Sequence, residues 1–326
     1  MEKMPFSKDI LQINDIEATI SHLCALMREE IYYNNKRRGA VLGLSGGIDS
    51  SVTLALAVRA ISPEHVLGIM MPEKDSNPES CILAEKLAGQ LGVETATEEI
   101  TAALEGFHCY QRRDEAIKKI FPEFNPATDK SKIGINQSGL NQNLPPVFSL
   151  TVIKKSGEQQ HKIIPLNEYL QIVAASNFKQ RSRMAMLYYY AEKMHYSVLG
   201  TANKHEIAQG FFVKYGDGAA DMYPLAALYK TQVYQLARQL GIPREIIDRT
   251  PTTDTYSAEQ TQEEFFYQLP FEEMDLLWYG FENDYSPTEV GLILEKTPEE
   301  VASVYKNFAR KKRTTGYLRA YPAYFS

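Results

Sequence analysis

The stretch Ser45-Gly46-Gly47-Ile48-Asp49-Ser50, preceded by Val41-Leu42-Gly43-Leu44 and followed by Ser51 to Ala60, decides the fold. The apolar run reads as a buried strand, the Ser/Gly residues as a tight turn, and Ser51 to Ala60 as a helix. Glycines let backbone N–H groups converge on one point, and a helix N-terminus adds partial positive charge. Strand, glycine turn and helix start together form a cradle for an anion such as phosphate. The commonest phosphate loop closes with Gly-Lys-Ser/Thr. Here Asp49 occupies the turn and no lysine follows. A carboxylate beside phosphates makes sense if it holds Mg²⁺, an ion that prefers oxygen ligands and bridges phosphates.

Working outward, the 326 residues suffice for one large domain or two small ones, with a sizeable core at 44% hydrophobic content. The formal charge of −6 gives no global bias toward nucleic acid or anionic membrane; only Arg310-Lys311-Lys312-Arg313 forms a basic run. No apolar stretch is long enough to span a bilayer, and Met1-Glu2-Lys3-Met4-Pro5 lacks the apolar region of a secretory signal. Cys24, Cys81 and Cys109 are odd in number and widely spaced, which fits a reducing cytoplasm rather than a disulfide framework or a Cys-x-x-Cys metal site.

A helix over Ile16 to Tyr33 precedes the first strand. Strands follow at Val66 to Met71, within Val93 to Ile100, and at Ser197 to Thr201. The intervening helices lie over Glu79 to Leu91, Thr101 to Phe121, Met184 to Met194 and Lys230 to Leu240. This βαβα rhythm predicts an α/β fold: a doubly wound, Rossmann-like parallel sheet flanked by helices, with the ligand at the carboxyl ends of the strands. Pro122 to Leu166, rich in Asn, Gln, Ser, Lys and Pro, breaks the rhythm. It reads as a mobile lid, a small subdomain or an oligomer contact, or as a surface elaboration with no chemistry. Within it, Val147 to Lys154 and His161 to Ile164 can pair as a hairpin across Ser156-Gly157.

Three further blocks carry chemistry. Asn177-Phe178-Lys179-Gln180-Arg181-Ser182-Arg183-Met184 places three cations in five residues at what reads as a helix start. On a helix Lys179 and Arg183 share a face and Arg181 points elsewhere. Val198-Leu199-Gly200-Thr201-Ala202-Asn203-Lys204-His205-Glu206 is a second strand running into a turn. Thr201 sits where a strand end can touch a nucleotide, and Glu206 is a candidate second Mg²⁺ ligand opposite Asp49. His205, a lone histidine in a polar turn, reads as structural or exposed rather than catalytic. Gly210 to Asp221 is glycine-bent so as to present Lys214, Asp217 and Asp221. Lys230 starts a helix within reach of phosphate, and Pro251-Thr252-Thr253-Asp254 is another polar loop near the same edge. Phe265, Phe266 and Trp278 read as packing.

The loop resembles the Ser-Gly-Gly-x-Asp-Ser PP-loop of enzymes that split ATP into AMP and pyrophosphate, within the adenine nucleotide alpha-hydrolase-like fold. The ordered blocks Gly43 to Ser51 and Asn177 to Asp254 closely resemble NAD synthetase, the ATP-dependent ligase that amidates nicotinate adenine dinucleotide (deamido-NAD). The resemblance implies one synthetase domain over 1–326, with an insert or lid at 122–166 and a C-terminal helical and tail segment at 262–326. It implies ATP contacts by Gly43, Leu44, Ser45, Gly46, Gly47, Ile48, Asp49, Ser50, Ser51, Thr201, Lys230 and Thr252. Mg²⁺ would sit on Asp49 and Glu206. Deamido-NAD would meet Arg181, Lys214, Asp221, Lys311 and Lys312, although the family usually has His-Lys where this chain has Lys311-Lys312. A homodimer is also implied.

Gly200-Thr201-Ala202-Asn203 departs from the Gly-Thr-Asp-His of ammonia-dependent bacterial members, and Asn203-Lys204 is closer to glutamine-dependent relatives. Those relatives carry a large amidase domain ahead of the synthetase. Only 44 residues precede Ser45, and no cysteine lies in a glutaminase setting, so direct use of ammonia is expected. Asp49, Asp217 and Lys230 are the candidate catalytic residues, with Asp217 accepting a proton from ammonium. The competing readings are another PP-loop adenylating ligase, GMP synthetase-like or tRNA-modifying, and a nucleotide-binding regulatory module. The lack of a basic surface and of a zinc-type cysteine cluster weighs against the tRNA enzyme.

Overall fold

Ala40, Val41 and Leu42 have no exposed surface, and such a short, wholly apolar run is stable only as an interior strand covered on both faces. The computed structural model describes residues 3–136, 147–252, 256–258, 261–262, 266–267 and 269–325. Thr253, Asp254, Phe265 and Pro145-Pro146 lie outside these residues. The strands are β1 (Ala40–Gly43), β2 (Val66–Met70), β3 (Glu94–Thr97), β4 (Lys130–Asn136), β5 (Val147–Ile153), β6 (Gln159–Ile163) and β7 (Ser197–Leu199). The helices are α1 (Ile16–Arg28), α2 (Ile48–Ile61), α3 (Pro78–Leu91), α4 (Thr101–Gly106), α5 (Cys109–Ile120), α6 (Leu166–Met194), α7 (Lys204–Gln209), α8 (Lys230–Gln239), α9 (Arg244–Ile247), α10 (Phe271–Glu282), α11 (Pro287–Leu294) and α12 (Pro298–Thr314).

The parallel sheet has the order β3-β2-β1-β7, with Val41 opposite Leu67 on one side and Val198 on the other. The expected α/β fold is thus present. After β1 the chain winds outward through β2 and β3, then returns to the opposite edge with β7. The strand order reverses between β1 and β7, and a crevice opens there at the carboxyl ends. On one face α1, α2, α3 and α8 pack a core around Ile20, Leu42, Leu54, Leu56 and Val233. On the other, α4, α5 and α6 cover Val41, Ile69, Leu104 and Val198. A third, aromatic core joins α10, α11 and α12 around Trp278, Tyr267 and Phe308.

Two expectations change. The cationic block beginning at Asn177 is no helix start: α6 runs unbroken for 29 residues and the block lies in its middle. The reason is burial: Lys179 is only 2% exposed and donates to Glu73 and Asp75, at 2.8 Å each, so its neighbours in space are acids about a hundred residues away. Within the insert, β5 and β6 pair antiparallel as expected, and β4 adds a third strand, in the order β4-β5-β6. Leu150, Val152 and Ile133 turn one face of this sheet onto Phe121, Phe124 and Ile172.

A candidate ATP-dependent amidation site

The phosphate loop is held open by its own side chains. Gly47 caps α2 with no side-chain hydrogen bond to the first turn, which leaves that turn's N–H groups for a ligand. Ser50 Oγ and Ser51 Oγ donate to Gly47 O at 3.0 and 2.8 Å, and Ser45 Oγ meets Ser50 Oγ at 3.1 Å. Gly46 has φ +68°, and a Cβ there would lie 2.3 Å from Ser80 O, so only glycine fits.

The Gly200 to Glu206 turn brings a second strand end to the same place. Asn203 caps α7: its Oδ1 accepts the His205 and Glu206 N–H groups, and Glu206 Oε2 accepts the Asn203 N–H at 2.9 Å. The cap leaves Asn203 Nδ2 free to donate to Asp49 Oδ1 at 3.2 Å. Lys230, at the first turn of α8 and fully buried, donates to Asp49 Oδ2. Burial alone would lower the pKa of Lys230, but the charges of Asp49 and Glu206 outweigh it and hold the ammonium above its ordinary range. Glu206 feels burial first and Asp49 second. Lys230 opposes them, and the carboxyl still rises to about 8. Behind this cluster, buried Asp275 accepts the Thr231 N–H at 2.7 Å and pairs with His205 Nε2 at 2.5 Å, tying α10 to α7 and α8. His205 lies fully buried among Tyr229, Tyr267 and Trp278, so of its two readings the structure shows a packed residue and not an exposed one.

Two connected clefts open above the cluster. One of about 230 Å³ is lined by Gly43, Leu44, Met71, Leu187, Leu199 and Thr201. The other, of about 600 Å³, is lined by Ser45, Gly47, Ile48, Asp49, Ser50, Thr201, Glu206, Arg181, Lys214, Asp217, Thr252 and Lys311. Most of the expected site residues therefore share one cavity. Gly46 and Ser51 shape the loop from behind, and Lys230 lies beneath it. Asp221 and Lys312 line neither cleft. Asp221 accepts the Val198 N–H at 2.8 Å and the Tyr188 hydroxyl at 3.0 Å, bracing the middle of β7 against α6.

Asp217 lines both clefts. Burial raises its carboxyl to about 6, against hydrogen bonds from backbone N–H groups (Val213 at 2.8 Å) and the charge of Arg183. Lys214 Nζ donates to Tyr317 O and Ala320 O at 2.8 Å each, so the C-terminal tail holds the cation at the cleft rim. Lys311 donates to Phe266 O at 2.8 Å and sits 4.2 Å from the Phe266 ring centre; burial, with Arg310 adding, lowers its ammonium to about 7. Sequence reasoning missed Asn203, Asp275 and Arg249, whose Nη2 donates to Ser80 Oγ at 3.1 Å beside the loop. Asn at a helix cap was the one available signal, since such a residue is aimed by its own backbone.

The NAD synthase family model matches residues 19–133 and 135–315. The chain belongs to the NAD synthase family. It is 46% identical over 320 residues to the NH₃-dependent NAD⁺ synthetase of Rhizobium meliloti, covering 98% of this chain and 95% of that one. It is 32% identical to the NH₃-dependent NAD⁺ synthetase of Thermotoga neapolitana, covering 89% and 92%. Among solved structures, the NH₃-dependent NAD synthetase from Campylobacter jejuni, in complex with nitrate, is similar with a TM-score of 0.63. It is 22% identical, with 96% of this chain and 100% of that chain covered, which carries the fold. The NMN synthetase from Francisella tularensis is similar with a TM-score of 0.65 at 23% identity, covering 96% and 99%. The family's PP-loop fold is the one seen here. The departure at Ala202-Asn203 thus occurs in a chain that is similar over most of its length to the NH₃-dependent NAD⁺ synthetases of Rhizobium meliloti and Thermotoga neapolitana.

Proposed function

We propose that the two clefts divide one reaction between them, ATP lying over the phosphate loop and the acceptor carboxylate beside it. The overall reaction follows from the family: the chain is a carbon–nitrogen ligase that amidates deamido-NAD with ammonia, using ATP as co-substrate. The nicotinate carboxylate is a poor electrophile, because hydroxide would have to leave. Its oxygen attacks the α-phosphorus of ATP, the bond to the β-phosphate oxygen breaks, and pyrophosphate departs. Ammonia then attacks the acyl carbon, AMP leaves, and the nitrogen gives up a proton.

The protein's work is positioning and charge neutralisation. The uncapped N–H groups of α2 receive the departing pyrophosphate, with Lys230 beneath and Arg249 beside it. Asp49 and Glu206 would hold Mg²⁺. The donor set fits: burial first and the charge of Asp49 second disfavour the Glu206 carboxylate in the absence of a cation, and such an oxygen-donor pair completed by substrate phosphates suits that ion. When bound, Mg²⁺ supplies charge neutralisation on the phosphates and a template for them. Arg181, Lys214 and Lys311 bind the acidic acceptor. The tail carbonyls on Lys214 yield to its phosphates, and Lys311 gains charge as an anion arrives. Asp217, with a carboxyl near pH 6, is ionised at neutral pH and accepts the proton of ammonium. The observation that carries this reading is that the phosphate loop, Asp49 and Glu206 share one cleft with Arg181 and Lys214.

We infer a cytoplasmic homodimer acting without nucleic acid, supported by three free cysteines, exposed Leu170 and Tyr189 on α6, and the net charge of −6. No described helix is long and apolar enough to cross a membrane. The test is incubation with ATP, Mg²⁺, ammonium and deamido-NAD. Equal release of AMP and NAD, dependent on deamido-NAD, is expected. ATP binding without turnover would instead favour a regulatory module.

A further inference from the structure

The insert supplies part of the larger cleft. Phe148, on β5, and Tyr169, on the first turn of α6, stack with ring centroids 4.1 Å apart and 24° between planes, and both line the cavity that holds the phosphate loop. Phe148 shares its face of the sheet with Leu150 and Val152, which are buried against the chain's interior, so the ring is carried on a packed element. The Tyr169 hydroxyl has no hydrogen-bond partner among the described residues, and burial raises its pKa.

Position along α6 says what the pair can meet. Tyr169, Val173, Ser176 and Gln180 recur at helical spacing and form one edge of the cleft. Gln180 also borders the smaller cleft, together with Glu206 and Asp217, so it marks the reacting centre. Tyr169 lies eleven residues earlier on the same helix, which at 1.5 Å per residue is about 16 Å away. A group resting on Phe148 and Tyr169 is therefore not the one that reacts. The smaller cleft, lined by Leu44, Met71, Leu187 and Leu199 beside Ser45, offers a separate apolar slot next to the loop for the base of ATP.

We propose that the Phe148–Tyr169 wall binds the non-reacting adenosine half of the dinucleotide acceptor, and so makes this pairing of β5 with α6 the element that selects a dinucleotide over nicotinate mononucleotide. The proposal rests on the amidation reading above. The base stacks on the aromatic face, and the Tyr169 hydroxyl remains available to a ring nitrogen or ribose hydroxyl.

The test is steady-state amidation by the full chain, with deamido-NAD and with nicotinate mononucleotide, for the wild type, Phe148→Ala, Phe148→Leu and Phe148→Trp. Phe148→Ala should raise the KM for deamido-NAD about tenfold, the scale of one base stacked on one aromatic side chain. The KM for ATP and kcat should stay nearly constant, and the preference over the mononucleotide should shrink by the same factor. Phe148→Leu, which keeps the apolar volume, should behave like Phe148→Ala, and Phe148→Trp should restore the wild-type KM. A folded Phe148→Leu protein with unchanged KM, or with ATP and deamido-NAD affected equally, overturns the proposal. A wild-type chain that amidates neither acceptor overturns the amidation reading instead.

Discussion

Replacing Lys230 by methionine removes one charge from the buried cluster while keeping most of the side-chain volume. In the wild type the Lys230 ammonium is fully buried and paired with Asp49, whose side chain is 14% exposed. Removing one partner of a buried pair costs about 3–5 kcal/mol, because the other charge is left uncompensated. The lower end applies here, since Asp49 keeps some contact with water and one hydrogen bond from Asn203. About 3 kcal/mol is therefore expected, which for a chain of this size is roughly a 1 M drop in the urea midpoint at an m-value near 3 kcal/mol/M. The assay is urea unfolding followed by tryptophan emission, since Trp278 lies in the adjoining aromatic core and packs against His205. Asp49→Asn alone should also destabilise, because it leaves Lys230 facing only Glu206. The double variant should lose less than the two singles together, the signature of a coupled pair. If Lys230→Met unfolds within about 0.5 kcal/mol of the wild type, the range of ordinary surface substitutions, the pairing that organises this site is refuted.

Gly46→Ala should abolish ATP binding with little loss of the sheet, because its Cβ would sit 2.3 Å from Ser80 O at a φ of +68°; titration calorimetry with ATP checks this, and wild-type affinity contradicts it. Asp217→Asn should cut kcat by about 10²-fold or more, the usual worth of a positioned base. In the wild type kcat should fall as pH drops through about 6, where the Asp217 carboxylate gains a proton, and the variant should lack that limb. The stability sign is the opposite of the activity sign: folding raises this carboxyl from 3.8 to about 6, so the folded state holds an extra proton between those values. Its stabilising contribution falls across that window as pH rises, and Asp217→Asn should flatten the slope.

The sequence was legible where local pattern and tertiary role coincide. Ala40 to Leu42 are apolar because they are buried on both faces, and Gly46 is glycine because its φ is +68° and a Cβ would lie 2.3 Å from Ser80 O, so strand, turn and helix could be read together. The β5–β6 pairing showed in the same way, through alternation about a Ser-Gly turn. The first half of α6 did not. This helix crosses the middle of the molecule, with Lys179 buried beneath one side and Arg181 exposed on another, and a helix packed on several sides has no single apolar stripe to find. β4 escaped notice because Lys130 and Lys132 mask the buried Ile133 and Ser131. The partners of Lys179, the bridge from Asp275 to His205 and the tail carbonyls on Lys214 join residues about 70 to 106 positions apart, and nothing local announces such pairs.

The most direct test of the central claim, that Asp49 organises adenylation over the phosphate loop, is exchange of labelled pyrophosphate into ATP in the presence of deamido-NAD and the absence of ammonia. The wild type should exchange only when deamido-NAD and Mg²⁺ are both present, and Asp49→Ala should not exchange at all. Exchange by Asp49→Ala at the wild-type rate would contradict the account.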